Sequence, residues 1–573
     1  MGLKKILLVC AYFFCFLFIF IAFFHPASLN LDLGRHLLFG KYMVQTHEII
    51  KTNLISYTNT NYHYVNSHWL SEIILYLIVN FTGFNGLVIF IEIISLLTFL
   101  SLIIYSIKRF HPISILLTSL IILNLVFLRN EIRPEIFSYF LLTLFLLILY
   151  KFKEKKTLLI YLLIPMEALW VNLHIFFVLG LVLIFIFAID EFFSGKTIRS
   201  QKFKTLSKVF LLSIIATFLN PNFINGALFP LSFNLGYSVS IAENQNIIYM
   251  IRNGMYYQPF LTAICYGIFM FLLGLRYRKK LFLSDFLLIF TFTFGVVYAN
   301  RNIAFFAYAI FIPSVKILSL VINNLLIFAK KTLSNKRIVN FENLILFFIC
   351  MCLVLFLFKH VSQQMLGLGA NNPGKNSITF YLDNKLHGPI YNNFDSGQYL
   401  AYSLFPKEKV FIDARPEAYP KEFGLNVYYP ATQNPNLLKP IFIKYKVNII
   451  FVFYTYESSK NIQFYLNSSD FKPIYLDDFS LILIKNNNEN KKLISKYLID
   501  KNTFKIGTNL DTNSLINYLY FFDRANWVNL EKQVYFILHK NDPNDCTIKN
   551  YGYIYQNFYN QLKNIKVSGG NCN

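Results

Sequence analysis

Between the first two apolar segments lies a polar stretch, about residues 25–72, reading HPASLNLDLGRHLLFGKYMVQTHEIIKTNLISYTNTNYHYVNSHWLSE. It gathers Asp32, Arg35, His36, His68, Trp69 and Glu72 beside sequence that is almost pure hydrocarbon. Ionisable groups next to a bilayer are costly unless solvated, paired or used. A carboxylate such as Asp32 at that surface can take a proton from an acceptor hydroxyl or amide, the work of a general base. The same position suits an N-cap of the short amphipathic helix expected after it, and capping explains a single Asp equally well. His68 and Glu72 are four residues apart and share a helix face. They read either as an acceptor- or metal-binding pair or as an ion pair at a helix start. A divalent metal held by Asp32, His36 and His68 is chemically feasible, but the spacing does not specify one, and no cofactor is called for.

Further polar groups recur in short turns. LRNEIRPEIFS holds Arg129, Glu131, Arg133 and Glu135, with Pro134 suited to a first helical turn. WVNLHIFF holds Trp170, Asn172 and His174, SVSIAENQNIIYMIRN holds Glu243, Gln245 and Arg252, and ANRNIAFF holds Asn300, Arg301 and Asn302. A guanidinium fork matches phosphate oxygens bidentately, whereas an ammonium is a point charge. Arg129, Arg133, Arg252 and Arg301 are therefore candidate phosphate ligands, against the plainer reading that each snorkels to lipid headgroups. Asn172, His174, Glu243 and Gln245, with Arg35, His36, His68, Trp69 and Glu72, are of the types that bind sugar hydroxyls, and also of the types that cap helices. Glu92 and Glu167 fall inside apolar segments and are flagged for the cost of placing them there.

Membrane helices must position these turns. Eleven are expected, at about 4–24, 84–107, 111–128, 134–150, 157–171, 174–192, 206–220, 257–275, 282–298, 303–322 and 341–359. The first resembles a signal peptide at its start, but its apolar run is too long, and it reads as an uncleaved helix. Lysine-bearing connections then fall on one side, which is cytoplasmic by the positive-inside rule. The polar loop, the arginine turns and the C-terminal part fall on the other. Lys316 sits awkwardly within the tenth helix.

Composition agrees. Of 573 residues, 55% are hydrophobic and 18% aromatic, and the mean hydropathy is +0.46, which places the chain among polytopic membrane proteins. The net charge of +23 reflects cytoplasmic loops, so nucleic acid is not an expected partner. Five of the seven cysteines lie in apolar segments; Cys546 and Cys572 lie in the polar C-terminal part and are the candidates for a pair.

Taken in order, these motifs resemble a branch of the bacterial multi-pass glycosyltransferases of the GT-C superfamily, related to protein mannosyltransferases and aminoarabinose transferases. The resemblance rests on Asp32–Arg35–His36–Gly40, Ser56–Tyr57–Thr58, His68–Trp69–Leu70–Glu72, Arg133–Pro134, Leu169–Trp170–Asn172–His174, Glu243–Gln245 and Arg301–Asn302, over about residues 20–320. It implies a polyprenyl-phosphate-linked sugar donor, a glycan, lipid or protein acceptor, surrounding membrane lipids, Asp32 as base and outward arginines on the donor phosphate. It also implies a bacterial plasma membrane, with the N-terminus cytoplasmic. Two motifs of relatives are missing: Asp32 is followed by Leu33 and not by Glu, and no WWDYG-like element occurs.

The expected architecture is thus an α-helical polytopic membrane protein, GT-C-like, over residues 1–360, with an extracytoplasmic α/β domain over 361–488 and a mainly helical extension over 489–573. In the α/β part, strands are expected at 389–393, 409–413, 447–454, 472–477 and 479–485, and a helix at 396–404. Asp395, Asp413 and Arg415 are its functional candidates, with a structural salt bridge as the stronger alternative. The expected activity is inverting sugar transfer. A transporter or flippase of a lipid-linked glycan should show repeat symmetry and broken helices at the midplane; no repeat is visible. A non-catalytic scaffold presenting the C-terminal domain is the third reading.

Overall fold

The computed structural model describes residues 2–29, 32–195, 200–233, 242–363, 366–507 and 510–541. Cys546 and Cys572 lie outside the described residues. The chain divides into two compact units. The first comprises residues up to 28, 36–51 and 65–371; the second comprises 29–35, 52–64 and the chain from 372 onward.

The first unit is helical. Its elements are α1 (Leu3–Phe23), α2 (Asp32–Thr46, whose first residues belong to the second unit), α3 (Trp69–Ile107), α4 (Pro112–Phe127), α5 (Glu135–Glu154), α6 (Leu163–Leu173), α7 (Val178–Gly195), α8 (Gln201–Ala216), α9 (Phe223–Phe233), α10 (Ile247–Arg252), α11 (Gln258–Leu275), α12 (Leu283–Tyr298), α13 (Ile303–Thr332) and α14 (Asn335–Gln363). Among the described residues, seven helices are long and apolar enough to cross a membrane, and three shorter apolar ones span Pro112–Phe127, Leu158–Leu173 and Leu283–Tyr298. The remaining expected segment is α8, which carries Lys202, Lys204 and Lys208 in its first half. The protein is a polytopic membrane protein with a C-terminal domain that carries a small sheet.

Three details refine the sequence expectation. The helix expected from 84 is present, and a second helix, beginning at Trp69, precedes it: Gly83 has non-helical backbone (φ 69°, ψ −173°) and divides the two. SHWLSEIILYLI is therefore helical from Trp69, as the shared helix face of His68 and Glu72 required. The 157–192 region breaks at His174, whose extended backbone (φ −163°, ψ 146°) separates α6 from a 3-10 turn leading into α7. Lys316 is paired within the fold: its Nζ lies 2.7 Å from Oδ2 of buried Asp285, whose other oxygen takes the Tyr150 hydroxyl at 2.8 Å.

The second unit is built on a four-stranded sheet. Strands β1 (Ala27–Ser28) and β2 (Ala370–Asn371) form a separate parallel pair in the first unit; β3 (Ile390–Tyr391), β4 (Ile449–Phe453), β5 (Phe471–Leu476) and β6 (Ser480–Lys485) form the sheet, in the order β3-β4-β6-β5. Every residue of β4 is buried, as expected of a central strand covered on both faces. Helices Phe394–Leu404 and Ser459–Leu466 are among those of this unit, and Lys491–Tyr497, Thr512–Ala525 and Val528–Asn541 end the described chain.

No strand forms at 409–413. Val410 makes only an isolated bridge to Ser56, with Tyr57 N on Val410 O at 3.1 Å and Val410 N on Ile55 O at 3.0 Å. Side chains satisfy the rest of that backbone. Asn392 donates to Ile412 O at 2.7 Å and accepts from Phe411 N at 2.8 Å, while Ser56 and Thr58 donate to Phe411 O. Buried backbone groups need partners, and polar side chains can replace a ladder.

Candidate functional site

In the first unit, the arginine turns converge. Glu135 opens α5 and is nearly buried. Its Oε2 receives Arg129 Nη2 at 2.8 Å and the Tyr139 hydroxyl at 3.0 Å, and its Oε1 receives Arg301 Nη2 at 3.0 Å. Glu243 forms a second bridge, with Oε1 3.0 Å from Arg129 Nη1 and 2.8 Å from Arg133 Nη1. Arg133 also pairs with Glu131. Arg301 donates to Asn244 Oδ1 at 3.2 Å and lies over the Phe176 ring, while its Nε finds no acceptor among the described residues. Burial pulls the Arg129 guanidinium down, but Glu135 and Glu243 outweigh it and hold it well above its ordinary value. Burial likewise pushes Glu243 up, and Arg133 and Arg129 outweigh it, so its carboxyl sits below the usual carboxylate range. Three guanidinium groups, two from the turn between α4 and α5 and one from the turn before α13, are thus held close together. Glu243, at 30% side-chain exposure, is the more accessible of the two bridging carboxylates.

Arg252 does not join them: it is exposed at the end of α10 and makes no hydrogen bond or ion pair with them among the described residues. Gln245 is buried, and its carbonyl receives Asn300 N at 3.1 Å, tying the 242–246 segment to the turn that carries Arg301.

A row of imidazoles lies in the same unit. His36 and His68 rings are 5.5 Å apart, and His68 and His174 rings 4.9 Å. His36 Nδ1 is 2.9 Å from Oε1 of fully buried Glu72, whose Oε2 receives Asn66 Nδ2 at 2.6 Å. At the other end, His174 Nδ1 is 2.9 Å from Ser138 Oγ, which accepts from Trp170 Nε1 at 2.8 Å. Burial pushes the His174 imidazole down to about 3, so it is neutral and can exchange hydrogen bonds without carrying charge. Trp69 donates to Asn172 Oδ1 at 2.8 Å, holding the start of α3 to the end of α6. Glu72 thus pairs with His36, an ion pair the spacing in the chain did not point to. Among the described residues no three ligand-type side chains are grouped to hold a metal. Glu92 and Glu167 are buried, with carboxyl oxygens that find no hydrogen-bond partner among the described residues.

Asp32 and Arg35 belong to the second unit. Gln398, from the helix Phe394–Leu404, spans them. Its Nε2 donates to Asp32 Oδ1 at 2.7 Å, and its Oε1 accepts from Arg35 Nε at 3.1 Å. Asp32 is the first residue of α2 and keeps 25% side-chain exposure, while Arg35 is nearly buried. Asp395 is exposed in the first turn of the Gln398 helix. Asp413 and Arg415 form a buried bidentate pair: Nε to Oδ1 at 2.6 Å and Nη2 to Oδ2 at 2.8 Å, with Asn53 Oδ1 2.8 Å from Nη2.

Glu135, Gln398 and Ser138 were outside the sequence-derived site set. Glu135 had a signal, an acid one residue after a proline at a helix start; Gln398 and Ser138 had none.

Solved structures match the chain, among them one that is similar over nearly all of it. The apo oligosaccharyltransferase of Archaeoglobus fulgidus superposes with a TM-score of 0.55 at 12% identity, covering 98% of this chain and 86% of that one. The chain has a GT-C-like fold. No protein-family model matches it, and no curated protein matches it by sequence.

Proposed function

We propose that this protein is an inverting membrane glycosyltransferase that moves a sugar from a polyprenyl-phosphate carrier to an extracytoplasmic acceptor. The observation that carries the reading is the convergence of Arg129, Arg133 and Arg301 on Glu135 and Glu243. Preorganised cations aimed at developing negative charge are a large source of rate acceleration. In the reaction, Asp32 takes the proton of the acceptor O–H or N–H. The freed pair on that atom bonds the anomeric carbon, the bond from that carbon to the phosphate oxygen breaks, and polyprenyl phosphate leaves with its electrons. The arginines hold that leaving phosphate. Residues of the first loop and the imidazole row (Arg35, His36, His68, Trp69, Glu72, Asn172, His174 and Gln245) position the sugar or the acceptor. The membrane is a bacterial plasma membrane, with the C-terminal unit outside. The GT-C-like fold supports this reading.

Native mass spectrometry of the purified protein with host lipid extract tests it. The wild type should retain a polyprenyl-phosphate species, and Arg133→Ala and Arg301→Ala should lose it. Glu243→Gln removes a competing carboxylate and should keep or strengthen retention. Retention indifferent to both arginines refutes the phosphate site. Full transfer by a normally inserted Asp32→Asn protein refutes the base.

A further inference from the structure

The second unit contains a cavity of about 490 Å³ that none of the groups above line. Its walls come from the helix Leu438–Lys444, the helix Ser459–Leu466, the turn at 467–470, and the ends of β5 and β6. The volume falls within the range of roughly 300–1,000 Å³ typical of small-molecule sites.

The lining has two chemistries. Phe442, Phe464 and Phe471 supply aromatic surface, with Phe442 and Phe471 rings 5.3 Å apart and Phe442 and Phe464 rings 6.5 Å apart. Phe442 and Phe471 are buried in the core and form the floor, while Phe464 is only half-buried and presents the accessible ring. Around them stand Lys439, Lys460 and Lys485, each from a different element. Lys439 pairs with Asp470 at 3.4 Å. Lys460 and Lys485 are exposed and have no ion-pair or hydrogen-bond partner for their ammonium groups among the described residues. The Asn467 amide likewise makes no side-chain hydrogen bond. Gln463 uses its amide N–H on Arg524 O at 3.0 Å, which leaves its carbonyl oxygen to accept.

Aromatic faces pack against the C–H face of a pyranose, and amides match its hydroxyls. Three lysines against one aspartate make the opening cationic, and ammonium groups on flexible stems meet a carboxylate or phosphate without demanding one geometry. We infer that this cavity is a binding site for an acidic carbohydrate, a sugar ring carrying a carboxylate or a phosphate. The site is separate from the groups assigned to sugar transfer, and its occupancy is read without any transfer reaction.

The test uses the full chain in detergent micelles and three probes: galacturonic acid, galactose 6-phosphate and neutral galactose. Binding is read by saturation-transfer NMR and titration. At least one acidic probe should bind about tenfold or more tighter than galactose, and weaken steeply as salt is raised. The carboxylate and phosphate probes separate the two sources of charge. Lys460→Ala/Lys485→Ala, both surface changes, should weaken that probe about tenfold; Phe464→Ala should weaken all three. Arg301→Ala should leave binding unchanged. Equal binding of galactose, no acidic probe bound below about 20 mM, or affinity unaltered by the lysine pair overturns the assignment.

Discussion

Replacing Asp413 by Asn tests whether the buried pair in the second unit is architecture or chemistry. Arg415 is 1% exposed and Asp413 is fully buried. The guanidinium is held by two carboxylate bonds, by Asn53, and by the Tyr64 ring 4.7 Å from its centre. Asp413 Oδ2 also receives the Tyr419 hydroxyl at 2.6 Å. Burial pulls Arg415 down, yet the Asp413 charge outweighs it and holds the guanidinium above its ordinary value, so it stays charged. Asparagine keeps the volume and opens no cavity. It removes the countercharge and turns one acceptor into a donor facing either Arg415 or Tyr419. Breaking a buried pair on one side costs about 3–5 kcal/mol, because it strands the other charge. Hydrogen exchange by mass spectrometry on the full chain in detergent reads this locally, from peptides covering β4 and β6. Exchange through unfolding of the unit should accelerate by about 10²- to 10⁴-fold. Asp413→Leu/Arg415→Met, which removes both charges, should recover most of the loss. A single Asn variant costing under about 1 kcal/mol refutes the structural assignment. Intact protection with lost polyprenyl-phosphate-dependent transfer would make Asp413 a reacting group.

Three further perturbations follow from the geometry. Gln398→Leu removes both the donor to Asp32 and the acceptor from Arg35, and should destabilise the second unit by about 1–3 kcal/mol in the same exchange measurement. Gly40→Ala places a methyl 2.1 Å from Glu72 O and 2.6 Å from Tyr76 Cβ, so α2 and α3 must separate; thermal unfolding in detergent should show a loss of about 1–3 kcal/mol. Burial pushes the Glu457 carboxyl from 4.5 up to about 7. An acid raised in the folded state contributes stability that is fully present below its unfolded pKa and is lost as pH rises through the folded value. The window is therefore about pH 4.5 to 7, and Glu457→Gln should flatten it and gain about 2–3 kcal/mol at pH 8, measured by melts at pH 5 and 8.

Hydropathy alone located the membrane helices, because a bilayer demands long apolar runs whatever packs beside them. Residue type likewise marked the polar turns, since charge next to hydrocarbon is costly enough to stand out. The strands at 449–453, 471–476 and 480–485 were also legible as short β-branched and aromatic runs. Partnership was not. Glu135 lay in plain view among four charges, yet its role as the hub for Arg129 and Arg301 depends on a turn 166 positions away in the chain. Gln398 meets Asp32 across 366 positions. Residues 409–413 read as a strand because their side chains are β-formers, but the neighbours of their backbone are Asn392, Ser56 and Thr58 side chains. The first loop, read as one element, is divided between two units. Periodicity and composition report how each segment meets solvent or lipid. Hydrogen bonds and ion pairs between distant segments form only when packing brings those segments within about 3 Å, and that was decided by the tertiary structure.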